Sequence, residues 1–192
     1  SFTGKAFNSV QYEIEADGTI DFNKLEDLAK KHKPKIIISG ASAYPREIDF
    51  SKFGEVAQNV GACHVSDIAH IAGLIVAGLH NSPVPHADAV STTTHKTLRG
   101  PRGGMLLCKQ EHAKTIDKAV FPNLQGGPHM HTLTALAVAL READTPEFKQ
   151  YARQVIQNAR TLANKLMEYG FDLFAGGTDN HLMLIDLQNK NM

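Results

Sequence analysis

The sequence predicts an α/β fold in which helices cover both sides of a mainly parallel sheet. From Asp21 onward, apolar residues at helical spacing alternate with short β-branched runs, and Pro34 and Gly61 separate the first of these stretches. Strands joined through helices of this length form crossover units. In such units neighbouring strands run parallel and both faces of the sheet are buried.

The elements of the first half follow this alternation in order. Apolar residues recur at helical spacing over 22–29 and again over 50–60, and Gly61 is placed to end the second helix. The strands predicted in this half are 35–39, 62–66, 87–93 and 104–108.

Helices dominate the second half of the chain. The predicted elements there are helices over 111–118, 132–142 and 146–170, and strands over 171–174 and 181–187. A turn-rich segment, 121–128, separates the first two helices, and Pro146 stands at a helix start, where its missing N–H is tolerated. The change of pattern predicts a large domain over 1–145, and a linking helix with the start of a smaller domain over 146–192.

The composition excludes an electrostatically driven nucleic-acid binder. In 192 residues, 20 Lys and Arg cancel 20 Asp and Glu, whereas phosphate binding requires a basic excess. No apolar stretch reaches the roughly 18 residues of a membrane span. We therefore expect a soluble cytoplasmic protein with neither nucleic-acid nor membrane partners.

The cysteines and the termini give two further expectations. Cys63 and Cys108 are predicted to be small buried apolar residues in a reducing compartment rather than a disulfide. The chain opens at Ser1 without an initiator Met and stops just after an apolar strand. Natural termini are mostly polar and loosely held, so we expect both ends to be internal to a longer protein.

Polar side chains follow three of the predicted strands directly. Ser42 follows the first strand, Asp67 and His70 follow the second, and His95 and Lys96 follow the third. Ligands of open α/β sheets bind at the carboxyl ends of strands. These loops are therefore predicted to converge on one crevice.

Lys96 and Asp67 could together serve a pyridine cofactor. An amine desolvated in a hydroxyl-rich loop is nucleophilic enough to form a Schiff base with a carbonyl. A carboxylate at the neighbouring strand end can keep a pyridine nitrogen protonated. The residues alone leave two alternatives open: Lys96 as a solvated loop lysine, and Asp67 as the cap of the following helix.

Two other chemistries fit the residues less well. His64, Asp67 and His70 are potential metal ligands, but His64 and Asp67 would point to opposite faces of a strand, so no metal site is predicted. Lys96 and Thr97 lack the preceding glycines of a phosphate-binding loop of the G-x-x-x-x-G-K-[ST] type.

The turn formed by Gly126, Gly127 and Pro128 has two interpretations. Its backbone N–H groups could face a phosphate, or it could be a simple tight turn.

Longer strings resemble one enzyme family throughout the chain. Residues 91–104, STTTHKTLRGPRGG, resemble the cofactor-lysine signature of serine hydroxymethyltransferase, a pyridoxal-phosphate enzyme of the aspartate-aminotransferase fold type. Supporting strings occur in the family's order: SAY at 42–44, DIAHIAGL at 67–74, PVPHA at 83–87, FP at 121–122, QGGP at 125–128 and GGTDNH at 176–181. The resemblance implies the large domain of fold type I, with the start of the small domain.

The resemblance also implies catalytic roles. Lys96 would form the internal aldimine with pyridoxal 5'-phosphate, and His95 would lie near the reacting amino acid. Asp67 would pair with the pyridine nitrogen, and His70 would approach the 3-hydroxyl of the ring.

Further cofactor contacts are implied for five residues. Ser42 and Thr93 would lie at the cofactor, and Arg102 would support the lysine loop. Gly126 and Gly127 would present N–H groups to the phosphate of a neighbouring subunit, so a homo-oligomer, dimer or tetramer, would share its sites.

The implied reaction interconverts serine and glycine and passes a one-carbon unit to or from tetrahydrofolate. The residues that bind folate and the substrate carboxylate would lie outside this segment. The alternative is that the chain is a catalytically inactive fragment that acts only as a structural core.

Overall fold

The computed structural model describes residues 2–190 and confirms the α/β fold class. The helices are α1 (Thr3–Ala6), α2 (Phe22–His32), α3 (Phe50–Val60), α4 (Ala72–Val76), α5 (Gln110–Lys118), α6 (Met130–Ala143) and α7 (Pro146–Glu168). The strands are β1 (Ile36–Ser39), β2 (Cys63–Asp67), β3 (Ala89–Thr93), β4 (Gly104–Cys108), β5 (Asp172–Leu173) and β6 (Ile185–Asp186). Among the described residues, no helix is both long and apolar enough to cross a membrane.

Capping residues set the ends of the first two long helices. The carboxylates of Asp21 and Asp49 each accept hydrogen bonds from two backbone N–H groups in the first turn of α2 and α3. Gly61 ends α3 in the left-handed conformation, with φ of 72°, and its N–H bonds back to Ala57. The predicted role of this glycine is confirmed.

The main sheet has the order β1–β2–β3–β4, with its first three strands parallel. β4 runs antiparallel to β3, so that Gly104 lies opposite Thr93. The predicted alternation of helix and strand does not continue here, because residues 94–103 form a loop rather than a helix. Without a crossover helix the chain turns back along the edge of β3.

Helices cover only one face of this sheet within residues 2–190. Side chains of β1 alternate, with Ile37 and Ser39 buried while Ile36 and Ile38 are 54% and 58% exposed. The expectation that both faces are buried is therefore wrong for the described residues. Right-handed crossovers that move in one direction along a sheet place their helices on the same side. We call the exposed side, which carries Ile36, Ile38 and Leu106, the open face.

The open face also explains why Cys63 is exposed. Cys63 precedes the buried His64 in β2 and lies opposite Ile36, so its side chain is exposed on the open face. Cys108 is half-buried at the sheet edge. The prediction of two buried cysteines is wrong, because a one-residue shift along a strand moves a side chain to the other face.

The second half contains the predicted helices but shorter strands. Thr145 caps α7 through the N–H of Phe148, and Pro146 occupies the first turn as predicted. β5 and β6 have two residues each and pair antiparallel. Residues 177–182, predicted to be partly strand, instead bond through side chains to the loop that follows β1.

His64 is a buried polar residue in the main core. It is 1% exposed, its Nδ1 lies 3.1 Å from the carbonyl oxygen of His86, and its Nε2 lies 2.8 Å from the hydroxyl of Ser39. The carbonyl can only accept, so Nδ1 carries the proton and Nε2 accepts from Ser39. Burial lowers the pKa of His64, and the ring is neutral at pH 7.

Stability should fall as the pH drops below the ordinary histidine range. The folded-state pKa of His64 is lowered, so the unfolded chain binds more protons between the two pKa values. Each such proton contributes a slope of up to about 1.4 kcal/mol per pH unit. The check is denaturant unfolding of the full-length protein at pH 5.0–7.5. His64→Gln should show a shallower dependence than the wild type, and equal slopes would contradict this account.

Candidate functional site

The parallel strands bring three polar turns to one edge of the sheet. Residues 40–42 follow β1, residues 68–70 follow Asp67 at the end of β2, and residues 94–97 follow β3. Because β4 is antiparallel, it begins at this same edge, and residues 101–103 join the cluster. The strand-end loops therefore lie along one edge of the sheet.

Side-chain hydroxyls join the second and third turns. The hydroxyl of Thr97 donates to the carbonyl of His70 at 2.8 Å and accepts from the N–H of Gly73 at 3.0 Å. The hydroxyl of Thr93 donates to the carbonyl of Ala69 at 3.2 Å. Lys96 therefore lies on a loop that is tied to the turn carrying His70.

The Asp67 carboxylate is held by two donors at the end of β2. Its Oδ2 accepts from the hydroxyl of Ser91, the opposite residue on β3, at 2.7 Å. Its Oδ1 accepts from the N–H of Ala69 at 3.0 Å. Asp67 does not cap α4, whose N-cap is Ile71, so the capping alternative is wrong. The side chain remains exposed, with lone pairs free for a further donor.

His70 lies within electrostatic reach of both Asp67 and Lys96. Burial and the positive charge of Lys96 lower the pKa of His70, while the charge of Asp67 acts in the opposite direction. The imidazole is thus neutral at pH 7 and can accept or donate one hydrogen bond. An acid, an imidazole and an amine from successive loops share one part of the sheet edge.

His95 contacts the other side of the lysine loop. Its Nε2 lies 3.2 Å from Nη1 of Arg102, and its Nδ1 lies 3.4 Å from the backbone nitrogen of Gly103. A neutral imidazole accepts at one nitrogen only, so the tautomer decides whether Arg102 or Gly103 donates to the ring. Arg102 is exposed and reaches back over the loop to orient His95.

Comparison with known proteins identifies the family. A family model described as Serine hydroxymethyltransferase matches residues 1–192. The chain belongs to the serine hydroxymethyltransferase family. A curated relative from Desulfotalea psychrophila (strain LSv54 / DSM 12343), named Serine hydroxymethyltransferase, is 57% identical over 192 residues. The match covers 100% of this chain and 45% of the relative, so the chain spans less than half the length of that protein.

The residues at the sheet edge fit the cofactor that this family implies. Pyridoxal phosphate carries an aldehyde and a basic pyridine nitrogen, which call for an amine and a carboxylate respectively. Lys96 and Asp67 supply both groups from adjacent loops, and the Asp67 carboxylate faces outward on the open side of its strand. The donor chemistry therefore suits a pyridine aldehyde.

The other three predicted site residues are exposed. Ser42 is exposed in the turn after β1. Gly126 and Gly127 lie in an exposed segment, and a Cβ added to either would meet no atom within 4 Å. In contrast, Asp67, His70, Thr93, His95, Lys96 and Arg102 all lie at the sheet edge.

Sequence reasoning missed the residues that bind the loops together. Ser91 and Thr97 fell inside the signature string but received no role, although they hold Asp67 and the His70 turn. Gly73 was missed as well: a Cβ there would lie 2.1 Å from the carbonyl oxygen of Thr97. Two signals were available: Thr97 places a hydroxyl directly after Lys96, and Gly73 is a glycine within a buried helix.

A second polar cluster on the described part of the chain lies away from this edge. Asp88, Glu111 and His112 place potential ligand atoms within 4.8 Å of one another. Lys109 already pairs with Asp88 at 2.6 Å, so a cation would compete with an ammonium group. The cluster is a charge network at the start of α5.

Gly73→Ala should disturb the lysine loop. The added methyl group has to displace the Thr97 backbone, which is not a flexible side-chain end. We expect cofactor affinity in the full-length protein to fall by about tenfold or more, since a shift of about 1 Å in a positioned group has large effects. Gly104→Ala is the matched control, because its nearest atom lies at an ordinary 3.5 Å. Equal cofactor affinity for both variants, measured by absorbance titration, would contradict the account.

Proposed function

We propose that the protein containing this segment is a glycine hydroxymethyltransferase. It transfers a one-carbon unit reversibly between serine and tetrahydrofolate, with pyridoxal 5'-phosphate attached at Lys96. The family assignment and the 57% identical relative support the proposal. The observation that carries it is the convergence of Asp67, His70 and Lys96 on one sheet edge. When bound, the cofactor withdraws electrons from the α-carbon of the amino acid.

Lys96 supplies the amine that attaches the cofactor. Thr97 and Thr93 hold its loop against the turn of His70, so the amine keeps a constant position relative to the other groups. Lys96 is half-buried in this loop.

Asp67 keeps the pyridine nitrogen protonated. Its two oxygens are oriented by Ser91 and by the N–H of Ala69, and a charge-assisted hydrogen bond to the ring uses a remaining lone pair. With pyridoxal phosphate bound, the negative charge of Asp67 would hold the proton on the ring nitrogen, and a protonated ring is the stronger electron acceptor.

The two histidines orient the ligand from either side. His70, neutral at pH 7, would form a hydrogen bond with the 3-hydroxyl of the ring, and His95, beside Arg102, would face the amino acid. Ser42 and Thr93 complete the contacts with the cofactor.

Gly126 and Gly127 serve a neighbouring subunit. Both lie on the exposed segment 119–131, where their N–H groups can reach another protomer's phosphate. The functional unit is accordingly a homo-oligomer with shared sites, and its expected location is the cytoplasm. Residues 1–145 belong to the large domain, and residues 146–192 form the linking helix and the start of the small domain.

The second candidate is an inactive structural core. The open face, with Ile36 and Ile38 more than half exposed, favours the view that this segment needs the remainder of the protein. Activity therefore belongs to the full-length protein rather than to residues 1–192 alone.

The proposal is tested by locating the cofactor. Full-length protein is incubated with pyridoxal 5'-phosphate, reduced with borohydride and digested, and the peptides are mapped by mass spectrometry. We expect the reduced cofactor on Lys96, and no labelled peptide from Lys96→Arg. Labelling of a different lysine, or release of no glycine from serine in the presence of tetrahydrofolate, would refute the proposal.

Asp67→Asn should abolish most turnover while leaving the fold intact. The amide has nearly the same shape but carries no negative charge, so the ring nitrogen loses the partner that keeps it protonated. We expect kcat to fall by at least about a hundredfold. Ser91→Ala removes only one hydrogen bond to Asp67 and should cost no more than about tenfold. Retention of most of the wild-type kcat in Asp67→Asn would exclude this role.

A further inference from the structure

His181, beside the two short strands, contacts His70 at the candidate site. The two imidazole rings are nearly parallel, with an interplanar angle of 20° and ring centroids 6.4 Å apart. This separation lies within the range of offset aromatic contacts. A residue from the far end of the chain thus packs against a residue proposed to face the cofactor.

The ring of His181 packs against the ring of His70 and forms no hydrogen bond at Nδ1 within residues 2–190. Its Nδ1 is buried and finds no hydrogen-bond partner among residues 2–190. Burial, and secondarily the nearby His70, lower the pKa of His181, so the ring is neutral at pH 7. Two neutral rings can stack without charge repulsion, and a buried nitrogen without a partner is retained only where the packing compensates.

The loop that carries His181 is fixed to the turn after β1. Asn180, 1% exposed, donates from Nδ2 to the carbonyl of Tyr44 at 2.8 Å and accepts at Oδ1 from the N–H of Leu182 at 3.0 Å. The residues on both sides of His181 are therefore held in place. The backbone at His181 is thereby held next to the turn after β1.

A charged pair strengthens the same connection. Arg46 donates from Nη1 to Oδ1 of Asp179 at 2.9 Å and also bonds to the carbonyl of Ala175. The N–H of Asp179 donates to the carbonyl of Pro45 at 2.8 Å. The turn after β1 and the loop over 175–182 therefore behave as one unit beside the site.

His70 needs such support because its backbone bond does not fix its ring. The hydrogen bond from Thr97 holds the carbonyl of His70 but leaves rotation about the Cα–Cβ bond free. A second flat ring restricts that rotation. We propose that His181 is a positioning residue, which orients the His70 ring for the cofactor; this inference rests on the proposed function.

The test is a double-mutant cycle for cofactor affinity in the full-length protein. The dissociation constant for pyridoxal 5'-phosphate and the absorption band of the bound cofactor are measured for the wild type, His181→Ala, His70→Ala and the double variant. We expect His181→Ala to weaken binding by about tenfold and to shift the band. In the His70→Ala background the same change should weaken binding by less than about twofold, because its target is absent.

Two variants separate stacking from simple packing. His181→Phe keeps a flat ring and should bind the cofactor within about threefold of the wild type, whereas His181→Leu fills the space without a flat ring and should resemble His181→Ala. His32→Ala, at an exposed helix end, is the control and should leave binding unchanged.

Several results would overturn the inference. These are an equal loss in both backgrounds, no loss in the wild-type background, a His181→Phe variant as weak as His181→Ala, or an equal loss in His32→Ala. If the wild-type protein itself fails to bind pyridoxal 5'-phosphate, the proposed function is refuted and this inference falls with it. Normal wild-type binding combined with any of the first four results refutes only the role of His181.

Discussion

The hydroxyl of Thr97 is the contact on which the candidate site depends. It donates to the carbonyl of His70 and accepts from the N–H of Gly73, so one small side chain joins the lysine loop to the turn after β2. Parallel strand pairing brings these loops to the same edge but leaves their relative position free. The hydroxyl bridge and the close approach of Gly73 set that position, and with it the relation of Lys96 to His70.

Backbone hydrogen bonds order the loop that carries Lys96 at the same edge. The N–H of Thr94 bonds to the carbonyl of Gly103 and the N–H of Gly100 bonds to the carbonyl of Thr94, so the loop folds back on itself. Arg99, at φ of 61°, occupies a left-handed conformation that is uncommon for a side chain of its size, and its guanidinium lies 4.6 Å from the ring centroid of Tyr151 on α7. A strained residue beside Lys96 is thus held by a contact from the second half of the chain.

Sequence patterns were sufficient for most elements. Helical spacing located α2 and α3, and the strand-end positions of Asp67 and Lys96 predicted that both lie along the same edge of the sheet. The range of β4 was predicted but its antiparallel direction was not, because a loop and a crossover helix can separate strands by similar lengths. The exposure of Cys63 was not predicted, because the handedness of the crossovers decides which face of the sheet is covered. An alternating sequence pattern does not reveal that handedness. The contact between His70 and His181 joins distant parts of the chain, and no local signal marks it.

We propose that this edge holds a pyridine cofactor with its nitrogen against Asp67. The most direct measurement is the ¹⁵N NMR spectrum of the full-length protein reconstituted with pyridoxal 5'-phosphate labelled at the ring nitrogen. We expect a protonated ring nitrogen throughout the neutral pH range, with the proton lost when Asp67 is replaced by Asn. An unprotonated nitrogen in the wild-type protein, or a signal unaffected by the replacement, would contradict it.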